Sequence, residues 1–158
     1  MEFHIRPIKK KDIEDIVQLS LMAWVPVFDS FKQILGSKIF SLIWPDWQNS
    51  QKGGIEKICI DETKSTVIVA EVNDDVVGFL AYELKTESKT GEVIFLAVHP
   101  DYQNQGIGTK LINYALREMK EQGMNLAVVE TGGDPAHAPA RKAYQKTRYT
   151  PLPLVRYF

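Results

Sequence analysis

The chain has 158 residues, with 19 Lys and Arg against 20 Asp and Glu and a formal net charge of −1. That balance argues against a protein built around nucleic acid or an anionic membrane, and 44% hydrophobic with 25% charged residues is the composition of a globular domain rather than a disordered one. The single cysteine, Cys59, excludes an intramolecular disulfide framework and every Cys-rich zinc site. His4, His99 and His137 do not fall at ligand spacing, so no metal site is expected. The start, Met1-Glu2-Phe3-His4-Ile5-Arg6-Pro7, is too polar for a signal peptide, and no apolar run approaches the length of a membrane span. The expectation is one domain over residues 1–158, cytoplasmic in location and binding neither nucleic acid nor membrane.

In chain order, residues 3–6 alternate polar and apolar side chains and predict a short strand. A helix follows with Ile13, Ile16, Val17, Leu21 and Trp24 on one face, and Pro26 is expected to end or kink it. A second helix is expected from Asp29 or Ser30, with Phe31, Ile34 and Leu35 inward. Residues 37–64, which contain Trp44-Pro45-Asp46-Trp47 and Gly53-Gly54, read as irregular with some helix. Residues 66–72 and 76–83 are rich in β-branched side chains, and Asn73-Asp74-Asp75 between them is a hairpin signal. A turn over residues 86–91 leads into a strand at 92–98. Leu111, Ile112, Ala115, Leu116 and Met119 form the apolar face of a helix that Gln122-Gly123 stops. Residues 126–130 read as a strand, 131–137 as a loop, and 138–147 as a helix with Pro139 in its first turn. Pro151 and Pro153 confine any strand in residues 149–158 to a sheet edge. An antiparallel hairpin followed by a parallel crossover gives an α/β (α+β) fold, a mixed sheet with helices on both faces.

The strongest chemical signal is Val98-His99-Pro100-Asp101-Tyr102-Gln103-Asn104-Gln105-Gly106-Ile107-Gly108-Thr109-Lys110, where a strand gives way to a loop and two glycines open a helix. The first turn of a helix has unpaired N–H groups and a partial positive charge, which together bind phosphate. Glycine at 106 and 108 removes the Cβ atoms that would hold a ligand oxygen away. A Walker-type loop is excluded because Thr109 separates Gly108 from Lys110, and a dinucleotide fingerprint is excluded by Leu111.

This segment resembles the pyrophosphate-binding motif of the GCN5-related N-acetyltransferases, Gln/Arg-x-x-Gly-x-Gly/Ala, which Gln103-Asn104-Gln105-Gly106-Ile107-Gly108 matches at every fixed position. Glu92-Val93-Ile94-Phe95-Leu96-Ala97-Val98-His99-Pro100 is similar to the family's central strand. Ala140-Arg141-Lys142-Ala143-Tyr144-Gln145-Lys146 is similar to its last helix, and Val76-Val77-Gly78-Phe79 to its third strand. The likeness runs from about residue 66 to 149 and fades before that.

The resemblance implies an acetyl-CoA-dependent N-acetyltransferase acting on a small-molecule or peptide amine by direct transfer. The implied fold is a mixed, mostly antiparallel central sheet of six to seven strands, and the family's habits allow a homodimer. Acetyl-CoA would lie where strands 92–98 and 126–130 splay apart, at a bulge near residues 95–97. Leu96, Ala97 and Val98 would line the pantetheine arm, with the backbone of Leu96 and Val98 pairing to it. Gln103 belongs to the motif, and Gln105, Gly106, Ile107, Gly108, Thr109 and Lys110 would offer N–H groups to the pyrophosphate. An alkyl ammonium has no lone pair, so the amine must lose a proton. Glu92 stands at the family's base position, with Glu130 and Glu83 as rivals, and Tyr144 stands where the family's tyrosine protonates the departing thiolate.

Two departures mark this chain: His137 replaces an Asn at the start of the last helix, and Arg148 replaces a Gly after it. His137 is expected to bind the cofactor, to act as a base or to cap the helix. Trp24, Phe28, Trp44 and Trp47 serve either as core or as the wall of an acceptor pocket. Cys59 lies outside the matched motifs, which disfavours an acetyl-cysteine route. The alternative to an enzyme is a non-catalytic acyl-CoA-binding sensor, which would keep the Gly106/Gly108 loop but need neither Glu92 nor Tyr144.

Overall fold

A computed structural model describes residues 2–158. Five strands, β1 (His4–Pro7), β2 (Ser65–Val72), β3 (Asp75–Lys85), β4 (Thr90–Val98) and β5 (Leu126–Val129), form one sheet in that spatial order. The first three pairings are antiparallel, and β4 and β5 are parallel. The β2–β3 hairpin closes through a two-residue turn in which Asn73 and Asp74 have φ of 50° and 70°. Both backbones sit in the left-handed region that this hairpin requires and that Asn and Asp tolerate.

The strand period of two divides the core in half. Val67, Val69, Phe79, Ala81 and Ala97 face α1 (Ile13–Ile43) and α2 (Trp47–Ile60), where they pack with Ile16, Val17, Leu19 and Ile55. Ile68, Ala70, Leu80, Tyr82 and Val93 face the other way, against α3 (Ile107–Glu121) and α4 (Ala138–Lys146). Leu111, Ile112, Ala115 and Met119 of α3 are buried there, as their spacing predicts.

Three expectations are corrected. The helix does not stop at Pro26: α1 runs through it and breaks at Gly36, whose φ of 77° and ψ of 159° lie outside the helical region. A proline removes one backbone hydrogen bond, and the buried side chains on either side, Leu19, Ser20, Val27 and Phe28, hold the turns together. Residues 37–64 are mostly helical, because Asp46 caps α2 by accepting from the Asn49 N–H (3.4 Å) while Ile55 and Cys59, one turn apart, are buried. The sheet has five strands rather than six or seven. Residues 149–158 form no strand, consistent with the donors that Pro151 and Pro153 lack, and β5 is left as the edge. Among the described residues no helix is long and apolar enough to cross a membrane.

Candidate functional site

β4 and β5 pair only over their first four residues, Thr90–Val93 against Leu126–Val129. Immediately afterwards Ile94 is inserted as a bulge: Tyr82 of β3 faces Val93, and Ala81 faces Phe95. A bulge bends and twists its strand. The second half of β4 thus parts from β5, one residue earlier than the resemblance implies.

Beside the unpaired end of β4 lies a cleft of about 650 Å³. Leu96, Ala97 and Val98 form its floor, and Gln103, Gly106, Ile107, Gly108 and Thr109 form one end. Pro135, Ala136 and His137 with one side of α4 form another wall, faced by Ala23, Trp24, Pro26 and Val27 of α1. Gln103 ties the loop to the strand, its Nε2 donating to the Val98 carbonyl (3.1 Å).

Gly106 is the N-cap of α3 with φ of 83°, a conformation that costs any other residue roughly 1–2 kcal/mol. The Lys110 N–H donates to the Gly106 carbonyl (3.0 Å), so the N–H groups of Ile107, Gly108 and Thr109 precede the first intrahelical bond. A Cβ on Gly106 would meet nothing within 4 Å, and one on Gly108 only Val98 Cγ2 at 3.8 Å, so the space before these N–H groups is open. No Asp or Glu lines the cleft, whereas Lys142 and Lys146 of α4 do. Unpaired N–H groups, a positive helix end and two ammonium groups suit a ligand with several negative charges.

The predicted residues divide unevenly. Leu96, Ala97, Val98, Gln103, Gly106, Ile107, Gly108, Thr109 and His137 line the cleft, while Gln105, Lys110, Glu92 and Tyr144 do not. The Lys110 backbone is engaged as described and its Nζ lies over the Phe3 ring, 4.5 Å from the centroid. Gln105 Nε2 donates back to the Asp101 carbonyl (3.3 Å). Glu92 is ion-paired with Lys85. Tyr144 is buried against Tyr149, ring centroids 5.6 Å apart, and burial pushes its phenol well above the usual range. Glu83 accepts from Ser65 (3.1 Å), away from the cleft lining, which does not include Glu130. Of the aromatic residues, Trp24 lines the cleft and packs edge-on against Phe95 (5.9 Å). Phe28 of α1 stacks on Trp47 of α2 (4.3 Å), and Phe31 stacks on Trp44 just past the end of α1 (5.0 Å). Sequence reasoning missed Lys142 and Lys146, although their i, i+4 spacing on a helix with Ala143 inward was a readable signal.

The wall beside α4 has its own construction. His137 Nδ1 meets Asp134 Oδ1, and the other carboxylate oxygen accepts the Ala136 N–H (3.2 Å). Burial alone would raise the Asp134 carboxyl, but hydrogen bonds from His137 and Ser30 outweigh it and hold the group below the usual range. Arg141 Nη1 donates to the carbonyls of Gly132 and Asp134, both at 2.7 Å. Among the described residues there is no group of three or more side chains placed to hold a metal ion.

A family model for the acetyltransferase (GNAT) family matches residues 31–148. The chain belongs to the GNAT family. Its relatives include an uncharacterised N-acetyltransferase of Archaeoglobus fulgidus, 32% identical over 81 residues (48% of this chain, 55% of the relative). An N-alpha-acetyltransferase of Sulfurisphaera tokodaii is 28% identical over 109 residues, covering 63% of this chain and 65% of that one. The GNAT chain thus spans less than two thirds of the length of these two relatives. The fold is that of the PaiA N-acetyltransferase of Thermoplasma acidophilum, solved in complex with coenzyme A: the TM-score is 0.73 at 16% identity, over 93% of this chain and 89% of that one. Both the wedge and the glycine loop of this GNAT chain lie within the matched residues.

Proposed function

We propose that this chain is an acetyl-CoA-dependent N-acetyltransferase that moves the acetyl group directly to a primary amine, with both substrates bound at once. The observation that carries the reading is the cleft beside the unpaired second half of β4, beyond the Val93/Val129 pair, which ends at the unpaired N–H groups of α3 and has no carboxylate among its lining residues. The diphosphate would rest on the N–H groups of Ile107, Gly108 and Thr109, with Lys142 and Lys146 on its flank. Leu96 and Val98 would hold the pantetheine arm along the free edge of β4, so that the thioester reaches the gap.

In the transfer, the amine nitrogen bonds to the acetyl carbon, the carbon–sulfur bond breaks, and the sulfur leaves as a thiolate. One proton must leave the nitrogen and one must reach the sulfur. We assign the second to Tyr144, which stands at the family's tyrosine position on α4 and whose neighbours Ala140 and Ala143 line the cleft. A role for Glu92 in the first requires a water relay and release from Lys85. The chain of N-acetyltransferase relatives and the coenzyme A complex of a protein with this fold support an amine acceptor and this donor.

The test is thermal unfolding with saturating acetyl-CoA, with ATP and NADH as controls. A ligand at about 100 times its Kd adds roughly 2.7 kcal/mol, a shift of several degrees. A rise with acetyl-CoA alone is expected, followed by amine-dependent release of free thiol. No rise overturns the reading.

A further inference from the structure

Asp134, His137 and Gly132 sit in one loop between β5 and α4, and their arrangement goes beyond what a helix cap needs. Asp134 accepts the Ala136 N–H with Oδ2, which by itself satisfies the turn. Its other oxygen, Oδ1, is committed to His137 Nδ1. The Asp134 side chain is 5% exposed and absent from the cleft wall, whereas His137 is part of that wall. An ionised carboxylate only accepts, so the proton of a neutral His137 is fixed on Nδ1 and the lone pair on Nε2.

The surroundings hold this pair in one orientation. Phe31 of α1 stacks on the imidazole with centroids 5.8 Å apart and planes 30° from parallel. Arg141 of α4 clamps the carbonyls of Gly132 and Asp134. Gly132 makes room for the pair: a Cβ there would fall on Asp134 Oδ1 and His137 Nδ1 and come within 2.8 Å of His137 Cε1. Two helices, a turn and a missing side chain therefore converge on one hydrogen bond.

Resting on the acetyltransferase reading above, we infer that Asp134 is a positioning residue that orients His137 as the base for the acceptor amine. Nε2 of His137 takes the proton from the nitrogen as the N–C bond forms, and solvent removes it from the imidazolium after the N-acetylated product leaves. Proton and electron pairs balance: the nitrogen lone pair becomes the new bond, and the carbon–sulfur pair departs with sulfur. With Nδ1 committed to a carboxylate, the neutral imidazole presents Nε2 as a basic lone pair, and among the described residues no carboxylate lines the cleft to rival it.

Two measurements test this. The chain has three histidines, so ¹⁵N spectra of the histidine-labelled protein, with His137→Gln to assign the signal, report its tautomer without any acceptor. The wild-type protein is expected to show His137 protonated on Nδ1, and Asp134→Asn to shift the proton to Nε2, because the amide can donate to Nδ1. Protonation on Nε2 in the wild-type protein overturns the inference. The second measurement is thiol release from acetyl-CoA with tyramine, spermidine and a tetrapeptide bearing a free N-terminal serine, taking the fastest. Asp134→Asn and His137→Gln are each expected to lower kcat by about 100-fold or more while leaving the acetyl-CoA thermal shift in place. Gly132→Ala is expected to lower kcat similarly by displacing the pair. Retained kcat in Asp134→Asn overturns the inference while the acetyltransferase reading stands. Loss of the thermal shift in the wild-type protein overturns the reading instead.

Discussion

Val93 and Val129 are the last residues that β4 and β5 share, and Ile94 bulges from β4 in the next position. The parting of two parallel strands beside a bulge leaves backbone groups of Leu96 and Val98 facing a cleft instead of a neighbouring strand. The remainder of the site is arranged around that gap, with α3 beginning at its end and the Asp134–His137 loop along its side.

The two glycines of the loop are expected to behave differently. Gly106 adopts φ of 83° with open space around it, so Gly106→Ala strains the backbone and lowers stability by roughly 1–2 kcal/mol. Gly108 lies in the first turn of α3, and a methyl there meets only Val98 Cγ2 at 3.8 Å. Gly108→Ala is therefore expected to leave stability unchanged or slightly raised, yet to weaken acetyl-CoA by about tenfold by standing in front of the helix N–H groups. Urea unfolding and calorimetric titration separate the two effects. Unweakened binding in Gly108→Ala would place the diphosphate elsewhere.

Tyr144→Phe removes one oxygen and leaves the ring packed against Tyr149. If the phenol protonates the departing thiolate, kcat falls by about 10- to 1,000-fold with the KM for acetyl-CoA nearly unchanged. Steady-state kinetics across acetyl-CoA concentration decide it, and an unchanged kcat reduces Tyr144 to an anchor for α4.

Far from the cleft, Arg6 joins β1 to β2 and to the turn before α1. Its guanidinium donates to Asp12 Oδ2 (2.7 Å) and to Glu71 Oε2 (2.8 Å from Nε), and His4 lies 2.9 Å from Glu71. Burial pulls the Asp12 carboxyl upward, but the bonds from Arg6 and the Lys9 N–H outweigh it; Glu71 is lowered chiefly by its hydrogen bond to Arg6. Groups lowered in the folded state contribute stability that is complete above their unfolded values, near 4, and is lost as pH falls through the folded ones. Chemical denaturation should show a plateau above about pH 5 and a decline below pH 4. Arg6→Leu strands Asp12, which is 2% exposed, and is expected to cost about 3 kcal/mol at pH 7 and to blunt the acid decline. A decline of undiminished slope in that variant would assign the acid sensitivity to other carboxylates.

The hairpin, the α3 face and the glycine loop were legible in the sequence because each is a local pattern: Asn73-Asp74 at positive φ, Leu111 to Met119 at helical spacing, Gly106 at an N-cap. The position of the wedge was only approximate, since Ile94 looks like any other β-branched strand residue and its lack of a partner is decided by β3. Glu92 was chosen from a motif position, and the motif does not encode that its carboxylate finds Lys85 across the strand. The pairing of Asp134 with His137 was hidden for a similar reason. An i, i+3 spacing in a loop rich in Gly and Pro has no periodic signature, and the partners that orient it, Phe31 and Arg141, come from two other elements.

Gly53-Gly54 misled in the opposite direction, because two glycines read as a break and yet lie in the middle of α2. The helix persists through its packing: Ile55 is fully buried and Cys59, one turn later, is 5% exposed, with burial raising its thiol to about 11. A Cβ on either glycine would meet nothing within 4 Å. Gly53→Ala and Gly54→Ala should therefore each raise stability by up to about 1 kcal/mol, because the unfolded chain loses freedom while the helix gains no clash. The double variant should add the two increments and raise the midpoint of urea unfolding at constant m-value. A lowered midpoint would mean that these glycines serve a bend or a close contact that a continuous α2 does not contain.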